Sequence, residues 1–169
     1  DDYAVYAETS FSEDQRLLLQ GMDVSTKYTL RGEDMYRRYA QYLYKVAEAK
    51  PGNYMAFFPS YKFMEEVYGI FLDMISDDDR DDINCIIQAP YMSEESREIF
   101  LEEFEENREG SLMGFCVMGG IFSEGIDLAR ERLIGAIIVG TGLPQVCRDR
   151  EILKDYWLLL IIFFYIKRE

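Results

Sequence analysis

Hydrophobic residues recur at helical spacing in two stretches of the chain. Between residues 33 and 49 the apolar side chains lie three or four positions apart, at Met35, Tyr39, Leu43 and Val46. Such a stripe is typical of an amphipathic helix packed on a core, and Pro51-Gly52 predicts where this helix ends. A second stripe predicts a helix from Ser60 to Ile75, with the Ser60 hydroxyl as its N-cap.

Short, continuous apolar runs predict buried strands, one before the first helix and the others between helices. These runs cover residues 16–22, 53–58, 83–88, 112–118 and 133–139. Further helices are expected from near Ser93 and from Gln145 to Tyr156. Apolar strands that alternate with helices are typical of a parallel sheet with helices on both faces, because right-handed crossovers carry the helices there. We therefore predict an open α/β fold with a mostly parallel sheet.

The charge balance limits how the chain can meet a nucleic acid. Acidic residues outnumber basic ones by 32 to 18, which gives a formal net charge of -14. This excess opposes non-specific attraction to a polyanion, so any contact with nucleic acid has to be local. With 49% hydrophobic residues, the chain has enough apolar side chains to form a core, and global disorder is excluded.

The residue inventory argues against self-contained catalysis. The sequence has no histidine, so the usual general base and the Ser-His and Cys-His pairs are missing. Cys85, Cys116 and Cys147 have no C-x-x-C spacing, so neither a disulfide framework nor a zinc site is predicted. Each cysteine is expected to be a small core residue. We assign no catalytic residue and no metal site.

The longest apolar block is too short for a membrane helix. It runs from Tyr156 to Ile166, 11 residues, whereas a spanning helix needs roughly 20. The first residues, Asp1-Asp2 and a mixed polar stretch, do not resemble a signal peptide. We expect a cytoplasmic protein without membrane contacts.

Ligands in open α/β folds bind at the carboxyl ends of the strands, so the turns there are candidate sites. After Phe58, the turn continues through Ser60, Tyr61 and Lys62, which offer a hydroxyl, an aromatic face and a cation. These groups suit a phosphate and a base. Helix capping explains Ser60 equally well, and Tyr61 can be an ordinary surface aromatic.

The turn after Met118 is rich in glycine. Residues 119–127 read GGIFSEGID, in which Ser123 adds a hydroxyl among three glycines. Backbone N–H groups in such a turn can point together toward a phosphate. Glycines at a strand-helix junction can also serve tight packing alone. The turn at 140–145, GTGLPQ, is ambiguous in the same way.

Three segments together resemble the motifs of one helicase domain. They are PGNYMAFFPSYKFMEEVY, GFCVMGGIFSEGIDL and RLIGAIIVGTGLPQ. In this order they resemble the second RecA-like motor domain of XPD/DinG-type superfamily 2 DNA helicases. The combination of FFPSY with FSEGIDL is more specific than either alone. The resemblance covers residues 17–157, with residues 1–16 as a leading segment or linker and residues 158–169 as an atypical apolar tail.

The resemblance implies a role for each turn. The residues that would contact nucleic acid are Ser60, Tyr61, Lys62, Gly120, Ser123 and Glu124. Gly125 and Asp127 would approach the nucleotide at the cleft between two motor domains. ATP and Mg²⁺ would be bound mainly by the first domain of the complete enzyme. The implied partners are single-stranded DNA and that first RecA-like domain.

The sequence departs from the family at its end. The family continues to a Q-x-x-G-R-x-x-R motif, whereas this sequence ends in LLLIIFFYIKRE. Arginines of this kind are worth about 10³–10⁵ in rate. No G-x-x-x-x-G-K-[ST] phosphate loop is present either. We therefore expect this chain alone to bind no cofactor and to hydrolyse no ATP.

Two other classes of protein fit part of the sequence. A non-enzymatic α/β interaction module would use the acidic surface for a protein partner. A flavodoxin-like or receiver-like domain shares the order of elements, but a receiver needs an acidic cluster after its first strand, and none follows RLLLQGM. Because fold alone does not separate these classes, the order of the motifs favours the helicase domain.

Overall fold

The computed structural model describes residues 16–76, 82–123, 126–128, 130–140 and 165–167. Its elements in chain order are β1 (Arg16–Leu17), α1 (Glu33–Ala49), β2 (Asn53–Phe58), α2 (Tyr61–Ser76), β3 (Ile83–Ile87), α3 (Glu94–Glu102), β4 (Ser111–Val117), β5 (Gly135–Ile138) and β6 (Tyr165–Lys167). Short 3-10 helices at Tyr28–Leu30 and Arg130–Arg132 precede α1 and β5. The predicted helix Gln145–Tyr156, which includes Cys147, lies outside the described residues.

The strands form one sheet in the order β1-β6-β5-β2-β4-β3. Four neighbours, β5, β2, β4 and β3, run parallel to one another. At the β5 edge, β6 pairs antiparallel with both β5 and β1. The central strands β2 and β4 are buried along nearly their whole length, which explains their continuous apolar sequences. The predicted open, mostly parallel sheet is confirmed.

Helices cover both faces of this sheet, as predicted. Successive residues of a strand face opposite sides, so alternate residues of β2 and β4 contact different helices. On one side, Tyr54, Phe58 and Phe115 pack with α1 and α2. On the other side, Met55, Leu112 and Cys116 pack with Phe100 of α3 and the neighbouring Phe104.

The predicted helix boundaries agree closely with the structure. The first helix spans Glu33–Ala49, the stretch that carried the apolar stripe. At the next two helix starts, Ser60 Oγ accepts a hydrogen bond from the Phe63 amide at 3.3 Å, and Ser93 Oγ accepts one from the Ser96 amide at 3.1 Å. In the described part of the chain, no helix is long and apolar enough to cross a membrane.

The prediction of a buried strand at residues 16–22 is wrong. Only Arg16–Leu17 is strand, and it pairs through two residues with β6 at the sheet edge. Leu18, Leu19 and Met22 are 51%, 44% and 82% exposed. A short apolar run is buried only if another layer covers it. The leucine run does not reveal that its neighbour in the sheet comes from the far end of the chain.

Candidate nucleic-acid interface

The turns that follow β2 and β4 lie side by side at the carboxyl end of the sheet. The two strands are parallel neighbours with Phe58 opposite Val117. Just beyond this pair, the Met118 amide donates a hydrogen bond to the Phe58 carbonyl at 2.8 Å. The Ser60 turn and the Gly119–Ser123 turn are therefore adjacent, at the end of the sheet where open α/β folds bind ligands.

The first of these turns exposes its cation more than its aromatic ring. Lys62 is exposed, whereas Ser60 and Tyr61 are partly buried. Capping of α2 by Ser60 is confirmed, because its oxygen accepts the Phe63 amide. That bond uses the hydroxyl oxygen as an acceptor, so the hydroxyl proton can still be donated to a ligand.

Gln88, directly after β3, connects the two turns. Its side-chain Nε2 donates to the Tyr61 hydroxyl at 2.9 Å, and its Oε1 accepts from the Val117 amide at 2.9 Å. The residue is only 3% exposed. Its bond to Val117 is buried and its bond to Tyr61 is partly buried, and together they position the Tyr61 hydroxyl relative to β4. The sequence analysis missed this residue, since a lone glutamine belongs to no motif. Its position as the polar residue closing an apolar strand was the one available signal.

The glycine-rich turn is closed by its own backbone. The Gly120 amide donates to the Val117 carbonyl at 3.1 Å, and the Ser123 amide donates to the Gly120 carbonyl at 3.0 Å. These two amides already have hydrogen-bond partners within the turn. For them the structure favours the interpretation that the glycines serve tight packing, and not phosphate binding. The Ser123 side chain is exposed, and its hydroxyl lies 3.4 Å from the Val117 carbonyl oxygen, at the long limit of a hydrogen bond.

Gly120 provides close packing against Gln88. A Cβ atom at this position would lie 3.0 Å from the Val117 carbonyl oxygen and 3.1 Å from Gln88 Nε2. Both distances are tighter than ordinary contact, so a side chain would displace the buried amide. The glycine therefore supports the bridge between the turns.

A groove of about 430 Å³ opens beside the turns. Its walls are Tyr61, Gln88, the loop of residues 89–93, Gly120 and Ile121. None of these residues carries a charged side chain. The groove thus joins the two predicted turns to a third segment, the β3–α3 loop, that the sequence analysis did not single out.

The last of the implied site residues, Glu124 for nucleic acid and Gly125 and Asp127 for a nucleotide, are only partly described. Asp127 has an exposed side chain, whereas Glu124 and Gly125 lie outside the described residues. Among the residues that the structure describes, no group of three or more acidic or thiol side chains is arranged to hold a metal ion.

Burial raises the pKa of the Cys116 thiol to about 12, so this cysteine is a neutral core residue, as predicted. Cys85 is partly buried.

Replacing Gln88 with methionine should destabilise the domain. Gln88→Met keeps the approximate shape but leaves the buried Val117 amide and the Tyr61 hydroxyl without their partner. We expect the free energy of unfolding to fall by about 2–4 kcal/mol, since an unpaired buried group costs about 1–3 kcal/mol. Tyr61→Phe removes only one of the two bonds and is expected to cost about 1 kcal/mol. Urea denaturation measures both, and an unchanged midpoint for Gln88→Met would contradict the bridging role.

The family of the chain follows from comparison with known proteins. The helicase C-terminal domain model matches residues 43–158, more than half of the chain and both turns described above. Over 47 residues the chain is 43% identical to the ATP-dependent DNA helicase XPD of Sulfolobus acidocaldarius. This match covers 28% of this chain and 8% of that protein. Over 103 residues the chain is 26% identical to the ATP-dependent DNA helicase CHL1 of Debaryomyces hansenii. This match covers 60% of this chain and 13% of that protein. The chain thus spans a small part of the length of these relatives.

Solved structures agree with this assignment. The structure named XPD_Helicase superposes with a TM-score of 0.55 at 25% identity, over 80% of this chain and 22% of that chain. The structure named XPD_APO superposes with a TM-score of 0.55 at 26% identity, over 79% of this chain and 25% of that chain. The resemblance found in the sequence motifs is confirmed: this chain belongs to the helicase C-terminal domain family, of the XPD type.

Proposed function

We propose that this chain is the second motor domain of an ATP-dependent DNA helicase and grips single-stranded DNA at the turns after β2 and β4. The observation that carries the proposal is the hydrogen bond from the Met118 amide to the Phe58 carbonyl at 2.8 Å, which aligns the ends of the two strands. A sugar-phosphate chain laid across this end of the sheet meets both turns. The ATP-dependent DNA helicases XPD and CHL1, which this chain resembles, support the same function.

Each residue of the two turns has a distinct role in this grip. The exposed Lys62 ammonium pairs with a phosphate, and the Ser60 hydroxyl donates to a phosphate oxygen. The partly buried Tyr61 presents its ring to a base or sugar. The exposed Ser123 hydroxyl exchanges its long contact with the Val117 carbonyl for a phosphate oxygen. Gly120 and Glu124 complete the set of nucleic-acid contacts that the family resemblance implies.

The buried bridge through Gln88 couples the two turns mechanically. Because Gln88 is bonded to both Tyr61 and Val117, a shift of the turn after β4 is transmitted to the Tyr61 ring. In a two-domain motor, closure of the cleft around ATP displaces such a turn. The bridge would thus link nucleotide state to the grip on the strand.

Nucleotide contacts in this proposal are shared with a second domain. ATP and Mg²⁺ are bound mainly by the first RecA-like domain of the complete enzyme, and this chain adds Gly125 and Asp127 at the edge of the cleft. The exposed Asp127 carboxylate fits that arrangement, since it is accessible to a nucleotide held by another domain. Hydrolysis of the bound nucleotide would supply the energy for movement. The residues of this chain would position the nucleotide and respond to its presence.

The grip should depend on hydroxyl and ring contacts more than on charge. Fluorescence anisotropy with a labelled 20-nucleotide dT strand at low salt tests this. We expect Tyr61→Ala to weaken binding about tenfold, because stacking on one base is worth about 1–3 kcal/mol, and Ser123→Ala to weaken it about threefold through one lost hydrogen bond. Lys62→Gln should reduce the slope of log K against log salt by about 0.7, the value for one phosphate contact on a single strand.

A matched serine variant separates the DNA site from general effects. Ser76 lies at the last residue of α2, and its hydroxyl bonds to the Leu72 carbonyl at 2.8 Å, so Ser76→Ala should leave DNA affinity unchanged. If neither the wild type nor any variant binds the labelled strand at low salt, the proposed DNA contact is contradicted. The alternative of an acidic α/β interaction module is then favoured.

A further inference from the structure

The loop between β3 and α3 carries an exposed aromatic ring beside the two DNA-gripping turns. Tyr91 in this loop is 97% exposed, and it lines the same groove as Tyr61, Gln88 and Ile121. We propose that this groove is a base-binding site in which one base of the single strand stacks on the Tyr91 ring. The site rests on the proposed function, since it extends the same DNA track to a third segment of the chain.

The chemistry of the groove suits a base and not a phosphate. Its walls contain aromatic and aliphatic side chains, Tyr61, Tyr91, Met92 and Ile121, and no lysine or arginine. The chain as a whole has a net charge of -14, so a phosphate would meet no compensating charge in the groove. The face of a base is uncharged and gains from stacking on an aromatic ring. The cation for the backbone is Lys62, one residue beyond Tyr61 and outside the groove walls.

Hydrogen bonds hold several of the residues that line the groove. Gln88 is held between Tyr61 and Val117. Ile121 is held through its carbonyl oxygen, which accepts from Arg97 Nε at 3.3 Å. The loop ends at Ser93, whose hydroxyl caps α3. A ligand therefore meets a formed site and orders mainly the Tyr91 side chain, which keeps the entropic cost of binding low.

The lining of the groove predicts that the site tolerates any base. The Nε2 and Oε1 atoms of Gln88 each have one protein partner, and Ser93 Oγ accepts a hydrogen bond from the Ser96 amide. The groove presents a base mainly with aromatic and aliphatic side chains, Tyr61, Tyr91, Met92 and Ile121. Recognition through the ring face is sequence-tolerant, because every base has such a face. This suits a motor that moves along a strand.

The experiment compares a strand with bases and a strand without them. The 169-residue chain is titrated by anisotropy with labelled dT20 and with a 20-mer of abasic sugar-phosphate units. We expect Tyr91→Ala to weaken dT20 binding about tenfold and to leave the abasic affinity unchanged, because one stacked base is lost. Tyr91→Phe, which keeps the ring, should bind dT20 as wild type does. Ile99→Ala, at a 55% exposed position of α3 outside the groove walls, is the control and should also be unchanged.

The outcomes distinguish this site from the grip itself. If Tyr91→Ala binds dT20 as wild type does while Tyr61→Ala and Ser123→Ala are weakened, the base site is wrong and the grip stands. Equal weakening on dT20 and on the abasic strand also overturns the base site, since the lost contact is then not to a base. If wild type binds neither strand, both proposals fail.

Discussion

Phe115→Ala is expected to lower the free energy of unfolding by about 3–5 kcal/mol, the range for removing a buried phenylalanine side chain. Phe115 lies in the central strand β4 and is fully buried. Its ring stacks on Phe58 at a centroid distance of 5.4 Å and meets Tyr68 and Phe71 edge-on at 5.1 and 5.4 Å. Alanine would leave a cavity among three aromatic rings that are themselves held by β2 and α2, so the site cannot easily collapse.

Thermal or urea unfolding followed by circular dichroism measures this effect. Tyr91→Ala is the matched control, because its ring is 97% exposed and its loss should change stability by less than about 0.5 kcal/mol. A loss below about 1 kcal/mol for Phe115→Ala would contradict the packing described for this face of the sheet. The control also serves the DNA experiment, since an unchanged stability for Tyr91→Ala assigns its binding defect to the lost ring.

Gly110→Ala should lower the free energy of unfolding by about 2–4 kcal/mol. Gly110 precedes β4 with a φ of +78°, and a Cβ atom there would lie 2.2 Å from the Asp82 carbonyl oxygen. This oxygen accepts the Ser111 amide at 2.7 Å, the bond that starts the pairing of β3 with β4. The added methyl group therefore costs conformational strain and also pushes apart two backbones that must stay close.

Gly119→Ala separates the two costs. Gly119 has a similar φ of +70° but nothing within 4 Å of its would-be Cβ atom. Its substitution should cost only the left-handed backbone strain, about 1–2 kcal/mol. Chemical denaturation of both variants tests the difference. Equal losses would mean that the close approach of Asp82 contributes nothing.

Part of the site was predictable because its signals are local. A hydroxyl before an apolar stripe marks the start of a helix, so the sequence predicted Ser60 as a cap and a helix start near Ser93. The continuous apolar residues of 53–58 and 112–118 marked two strands buried on both faces. Since parallel strands end at the same side of a sheet, the turns after them were expected at one edge.

Other parts of the site depend on contacts between distant segments. Gln88 is 27 positions from Tyr61 and 29 from Val117, and no sequence pattern joins these three. The groove likewise needs the β3–α3 loop to stand beside the turn after β4. The error at residues 16–22 has the same cause, because burial there depends on a strand from the other end of the chain.

The sequence by itself determined the alternation of strands and helices, the motifs of the family and the acidic charge, since each is a property of neighbouring residues. Only the tertiary structure decided the strand order β5-β2-β4-β3, the direction of the turn amides and the buried bridge at Gln88. These depend on which strands pair and in what register. Which strands become neighbours depends on contacts between segments that are far apart in the sequence, such as β2 and β4, and a pattern within one segment does not show it.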